Sequence, residues 1–144
     1  MLVQQILKSK GDSGVITVTP QTLVSEAAQI LAERRIGGVV VSKDGETADG
    51  IFSERDIVRS LAVRGISCMT ERVSELMTRN PVCCTRQDTS DAVLARMTEG
   101  RFRHMPVVED GKLVGIVTIG DVVKARLEEL SMEKSALEGM IMGY

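Results

Sequence analysis

Apolar residues recur along this chain at two spacings, and the spacings follow one another in the same order in both halves. Val24, Ala27, Ala28 and Leu31 return at the three-to-four-residue interval of a helix with one buried face, and so do Val93, Leu94 and Met97. Short apolar runs at 15–18 and 39–41 in the first half, and at 82–84 and 105–108 in the second, predict strands. Asp44-Gly45 and Asp110-Gly111 come next, a pair suited to the left-handed conformations of tight hairpins. A third run, 50–53 or 113–118, leads straight into a second helix, 54–62 or 119–130. Ser25 and Asp91 stand near the starts of the first helices, where short polar side chains and acids are favoured.

The halves are copies. With Ile16 laid on Val82, Ile16-Thr-Val-Thr-Pro-Gln-Thr covers Val82-Cys-Cys-Thr-Arg-Gln-Asp, and Glu33-Arg-Arg-Ile-Gly-Gly-Val covers Glu99-Gly-Arg-Phe-Arg-His-Met. A longer turn in the first copy then brings Gly50-Ile-Phe-Ser-Glu-Arg-Asp onto Gly115-Ile-Val-Thr-Ile-Gly-Asp. Each copy reads β-α-β-β-α. The expected fold is α/β (mixed α+β), two such repeats related by a pseudo-twofold axis with their strands buried against each other. The first unit is placed at 1–64 and includes an N-terminal helix over 2–8. A linker at 65–72 follows, then the second unit at 73–130, opened by a short helix over 73–77, and a helical tail at 131–144. Met132, Met140 and Met142 in that tail are expected to pack on the module or on a second chain.

With 144 residues, 43% of them hydrophobic and 26% charged, the chain can bury a core without disulfides or metal. Its net charge of −2, with both signs interspersed, gives no general attraction to nucleic acid or anionic lipid. Phe52, Phe102 and Tyr144 are the only aromatic residues, too few to stack a single strand of nucleic acid. No apolar run approaches the ~18–20 residues that span a bilayer. The first residues are too poor in apolar side chains for a signal peptide, so the cytoplasm is the expected compartment. Cys68, Cys83 and Cys84, odd in number and without CxxC spacing, read as small buried side chains in a reducing environment. His104 is the only histidine, and neither a phosphate-cradling Gly-rich loop nor paired metal ligands occur. Neither a catalytic group nor a metal site is expected, and so no enzyme.

The remaining chemistry sits where each third strand meets its helix. Both copies have a glycine, two apolar residues and then Ser/Thr-x-x-Asp: Gly50 to Ser53 and Asp56, Gly115 to Thr118 and Asp121. One reading is a capping box, with the hydroxyl residue as N-cap and the acid at the third helical position. That position favours the longer Glu or Gln, and an Asp in the first turn can instead accept hydrogen bonds from a ribose diol. The hydroxyl beside it and the free amides of a helix start suit a sugar or phosphate. The two roles are compatible in the same residues.

These junctions, with residues 82–85, Ser90-Asp-Ala-Val and the stretch 103–123, carry a resemblance. Over residues 1–130 the chain is similar to tandem CBS-domain proteins, or Bateman modules, of the stand-alone bacterial type. The resemblance implies a disc-like pair of units with two clefts that take AMP, ADP, ATP, NAD(H) or S-adenosylmethionine. It implies that Asp56 and Asp121 hold the ribose, beside the hydroxyls of Ser53 and Thr118. Adenine would lie among Ile16, Ile36 and Gly37, or among Val82, Phe102 and Arg103, with Thr78 as a further contact. Arg55, Arg103 and His104 are the candidate phosphate partners. Gly37 and Gly38 stand where the second copy has Arg103 and His104. Taken copy by copy, the second offers Thr118, Asp121, Arg103 and His104 for a small ligand such as AMP. The first offers Ser53, Arg55 and Asp56, with room for ATP or NAD(H). The implied protein is an adenine-nucleotide sensor, homodimeric and acting on a protein partner in trans; the alternative is a CBS scaffold without ligand binding.

Overall fold

The structure, a computed structural model, describes residues 1–11 and 14–142. In the first half come α1 (Val3–Lys10), β1 (Thr17–Val18), α2 (Val24–Arg34), β2 (Gly38–Val41), β3 (Gly50–Ser53) and α3 (Glu54–Arg64). A 3-10 turn (Gly65–Thr70) leads to α4 (Val73–Leu76), β4 (Thr78–Arg79), α5 (Ser90–Gly100), β5 (His104–Glu109), β6 (Lys112–Thr118) and α6 (Ile119–Met142). The two β-α-β-β-α repeats expected from the sequence are present, with one change in the second.

That change is at 82–84, where no strand forms: Cys84 makes a single parallel bridge to Val107. Pro81 lacks an amide to donate, and Asn80 sits at φ 48°, so the chain turns away from a ladder there. The strand that does form, β4, lies earlier and pairs antiparallel with β3 of the first copy, Ile51 opposite Thr78. The first sheet therefore runs β1-β2-β3-β4, its last strand supplied by the second copy, while β5 and β6 pair as a hairpin. Asp110 and Gly111, at φ 52° and 76°, turn that hairpin as their sequence predicts. In the first copy's turn only Gly45 is left-handed, at φ 80°. There Asp44 works through its side chain, accepting the amides of Glu46 and Thr47 at 2.8 and 3.0 Å, which holds its carboxyl below the usual range.

Two cores result. Val24, Ala27 and Leu31 of α2 pack on Val39, Val41 and Phe52, the sheet residues that alternate onto that face. Val40 and its cross-strand partner Ile51 point the other way. In the second core Val93 and Met97 of α5 meet Met105, Val107 and Val117. The flanking segments do not stay with the copy that follows them. Val3 and Ile6 of α1 are buried in the second core, and Val73 of α4 in the first, with Met69 and Leu76 packed against it. Residues 1–10, assigned to the first unit from sequence, thus belong by packing to the second. A fully buried Val or Ile contributes about 1.5–3 kcal/mol, which is enough to fix that exchange.

The motif glycines mark the crossings. A Cβ at Gly50 would lie 2.7 Å from Met77 Sδ and 2.9 Å from Thr78 O, and one at Gly115 would lie 2.7 Å from Leu7 Cδ2. The segment read as a linker is structured too, with Cys68 buried within it. α6 continues without a break into the tail. Met132, Met140 and Met142 are exposed there and do not pack on the module; residues 143–144 of the tail, Tyr144 among them, lie outside the described residues.

Candidate functional site

Helices α3 and α6 open alike. Ser53 N donates to Asp56 Oδ2 at 2.9 Å, and Ser53 Oγ to the same oxygen at 3.2 Å. Thr118 N donates to Asp121 Oδ2 at 2.9 Å, while Asp121 N donates to Thr118 Oγ1 at 3.2 Å. The capping role is therefore made, and the short Asp side chain reaches far enough to make it. It uses only one carboxylate oxygen. Among the described residues, Asp56 Oδ1 takes no hydrogen bond.

Asp56 is the only buried Asp, Glu, Lys or Arg among the described residues, 8% exposed. Burial raises its carboxyl above the usual range; the amide and hydroxyl of Ser53 and the charge of Arg59 pull it back down. No buried side-chain oxygen among the described residues lacks a partner, so Oδ1 is reachable from solvent and free to accept a hydrogen bond there.

In front of it lies a cleft of about 310 Å³, within the range of small-molecule sites. The first copy supplies Ser53, Arg55 and Asp56; the second supplies Thr78, Val82, Phe102, Arg103 and His104. Eight of the residues singled out from sequence thus meet in one place, but not in the expected grouping. Within each copy the backbone is local: Glu54 N donates to Gly37 O and Ile119 N to Arg103 O, both at 2.9 Å. The side chains cross. Arg103 reaches the first copy's Glu54 at 3.9 Å, and the β3–β4 pairing carries Thr78 over with it. Thr78, Val82, Phe102, Arg103 and His104 of the second copy consequently face Ser53, Arg55 and Asp56 of the first. Copy-by-copy assignment of Arg103 and His104 to Asp121, and of Gly37–Gly38 to Asp56, is corrected accordingly.

Ile16, Ile36, Gly37, Thr118 and Asp121 do not line this cleft. Ile16 and Ile36 pack against the first core, and Asp121 pairs with Lys10 at 2.8 Å. His104 stands half-buried against Gly37 and Gly38. Burial, then the neighbouring Arg103, lowers its imidazole pKa below the usual 6.5; Glu54 and Asp121 oppose this, and Lys10 adds to it.

Two arginines of the cleft were not singled out from sequence. Arg59 stands three residues beyond Asp56, hence on the same helix face, and that spacing could have found it. Arg101 ends α5 in the left-handed conformation, φ 57°, where glycine is the inexpensive choice. Arg35 does the same for α2 at φ 55°, the equivalent position of the other copy.

The arrangement gathers a carboxylate, hydroxyls and guanidinium groups around one cleft. Among the described residues no cluster of His, Cys, Asp and Glu could hold a metal ion. Burial pushes the Cys84 thiol up to about 12 and raises that of Cys83, which suppresses both thiolates. Among the described residues no helix is long and apolar enough to cross a membrane.

A pseudo-twofold pair of small α/β repeats, with a carboxylate-and-arginine cleft along the seam, defines the class: a tandem-repeat module. The chain belongs to the CBS-domain family, whose profile matches residues 11–63 and 73–128. A mitochondrial CBS domain-containing protein of Arabidopsis thaliana is 33% identical, covering 98% of this chain and 72% of that protein. Against a longer CBS domain-containing protein of the same plant the chain spans only 23% of the length. A solved CBS-domain protein of Agrobacterium tumefaciens is 46% identical and superposes with TM-score 0.82, over 88% of this chain and 99% of that one. Two solved CBS proteins, each 28% identical, carry ligands. One holds AMP (TM-score 0.71, covering 88% of this chain and 96% of its own). The other holds 5′-methylthioadenosine and S-adenosyl-L-methionine (TM-score 0.77, covering 90% and 98%).

Proposed function

We propose that the Asp56 cleft binds a phosphorylated adenosine, AMP, ATP or NAD(H), and that the chain is a sensor reporting its occupancy to a partner protein. The observation that carries this is the buried Asp56 carboxylate, one oxygen unused, in a cleft that also presents Arg55, Arg59, Arg101 and Arg103. A carboxylate fits a ribose diol and guanidinium groups fit phosphate oxygens. Val82 and Phe102 supply apolar surface for a base, and Thr78 a hydroxyl at its edge. The ligands held by two CBS relatives support the adenosine part of the reading. The arginines favour phosphate over a cationic sulfonium. The three unpaired cysteines suit a reducing compartment such as the cytoplasm.

The module acts as a homodimer. Val58 on α3 and Val123 on α6 occupy equivalent positions in the two copies, and they are 66% and 41% exposed. Matching apolar positions on both sides of a pseudo-twofold suit a second copy that repeats the same pair.

The test is a thermal-shift panel of AMP, ATP, NADH and S-adenosylmethionine on the wild type and Asp56→Ala. A ligand of the native state raises the melting temperature by mass action. A rise with the phosphorylated ligands that Asp56→Ala abolishes is the expected result. No rise with any of them refutes the reading and leaves the scaffold.

A further inference from the structure

The pseudo-twofold that carries Asp56 onto Asp121 also calls for a second cleft, at the start of α6. The structure fills its carboxylate from within. Lys10, the last residue of α1, donates from Nζ to Asp121 Oδ2 at 2.8 Å and to Ile116 O at 2.8 Å. Ile116 is the counterpart of Ile51, which lines the first cleft. The ammonium group therefore bridges the second cleft's strand to the carboxylate that a ribose would need.

Nothing in the first cleft corresponds to it. Lys10 falls on Leu76 when the copies are laid together, and Asp56 forms no salt bridge among the described residues. The phosphate side differs in the opposite sense: Gly120, Gly37 and Gly38 stand at the positions of Arg55, Arg103 and His104. The second copy of the site thus has a cation on the ribose carboxylate and fewer where phosphate would bind. Lys10 is also held in place. The α1 residues Val3 and Ile6 are buried in the second core, and Leu7 packs on Gly115. Its side chain is 34% exposed and that of Asp121 23%, a pair more shielded than a freely solvated one.

We propose that Lys10 is an internal occupant of the second cleft and limits the module to one adenosine ligand per chain. This rests on the reading of the Asp56 cleft. A ligand entering the second cleft must break an ion pair and its accompanying hydrogen bond to a backbone carbonyl, and it meets fewer cations, Arg35 and Lys124 alone standing where the first cleft has Arg101 and Arg59. Lys10 is therefore the residue that sets stoichiometry and makes the clefts unequal.

Calorimetric titration of the full chain with AMP tests this, using wild type, Asp56→Ala, Lys10→Met and Lys10→Met/Asp121→Asn. Methionine keeps the length and apolar stem while removing the charge. The wild type is expected to bind one AMP, lost in Asp56→Ala. Lys10→Met should gain a second site, or tighten a weak one by about tenfold or more, and Asp121→Asn should remove that gain. Two equal sites in the wild type, or a second site unaffected by Lys10→Met, overturn the proposal. If the wild type binds no AMP but Lys10→Met binds one through Asp121, the Asp56 reading fails and the role of Lys10 stands. If no variant binds AMP, both fail.

Discussion

Gly38 lies so close to His104 that a Cβ at position 38 would sit 3.0 Å from the imidazole Cε1 and Nε2. The two residues hold the same position in the two copies, so a glycine of one faces a histidine of the other across the pseudo-axis. There is room for one side chain, not two. Gly38→Ala should push the ring by a few tenths of an ångström and cost about 1 kcal/mol in urea unfolding. In a His104→Ala background that cost should largely vanish. A double-mutant cycle without coupling would show that the ring does not occupy this space.

Asp56 is expected to trade stability for binding. A raised carboxyl pKa means the ionised form is disfavoured by folding, so at neutral pH the charge costs stability. Asp56→Asn keeps an acceptor oxygen for Ser53 and removes the charge. It should stabilise the ligand-free protein by on the order of 1 kcal/mol. The same change should weaken AMP binding by about 1–3 kcal/mol, typical of a lost charge-assisted hydrogen bond. A variant that is both less stable and unchanged in binding would refute the assignment.

Arg101 makes a second trade of this kind. It holds a left-handed conformation at φ 57° that glycine adopts without steric cost. Arg101→Gly should raise ligand-free stability by about 0.5–1 kcal/mol and lower the affinity for AMP more than for adenosine. Arg35→Gly, at the equivalent turn outside the cleft, should give the stability gain alone. Equal losses of AMP affinity in the two variants would remove Arg101 from the phosphate site.

Much of this was legible before any coordinates. The duplication, the apolar helix faces of Val24 to Leu31 and Val93 to Met97, and the Ser/Thr-x-x-Asp junctions all rest on local periodicity or short motifs. What local pattern does not encode is which copy a segment packs against. Nothing in residues 2–8 distinguishes burial beside Val93 from burial beside Val24, because both cores are lined by similar aliphatic surface. The crossing of Arg103 and Thr78 into the Asp56 cleft follows from β4 joining β3, a pairing between segments far apart in sequence. The strand expected at 82–84 is absent for a local reason. Pro81 and the left-handed Asn80 override the β-branched signal that follows.

His104 should give the stability a pH dependence of definite sign. Its pKa is lowered from 6.5 by burial and Arg103, against the opposing charges of Glu54 and Asp121 and with the added effect of Lys10. The unfolded chain then binds the proton more readily, so stability is lost as pH falls through 6.5 toward the lower folded value. Asp56, with its raised pKa, acts oppositely at more acidic pH, just above its reference of 3.8. Urea unfolding between about pH 7.5 and 5.5 should therefore show falling stability in the wild type and a flatter profile in His104→Gln. Identical profiles would show that the imidazole titrates as it does in the unfolded chain.

The dimer prediction rests on the faces that the chain leaves uncovered. Val58 of α3 and Val123 of α6 are equivalent positions, and Leu61, Leu127 and Leu130 extend the same two helices with exposed apolar side chains. Covering such a surface recovers about 25 cal/mol for each Å² of apolar area removed from water. A second copy placed on a twofold axis could cover α3 and α6 together, because each protomer offers the same pair. Val58→Glu/Val123→Glu puts four carboxylates into that interface, where they repel and lose hydration. Light scattering at micromolar concentration should give a dimer for the wild type and a monomer for the double variant. Both side chains are exposed in the single chain, so the variant should keep the native circular dichroism spectrum. A monomeric wild type, or a double variant that remains dimeric, would show that these faces are not the interface.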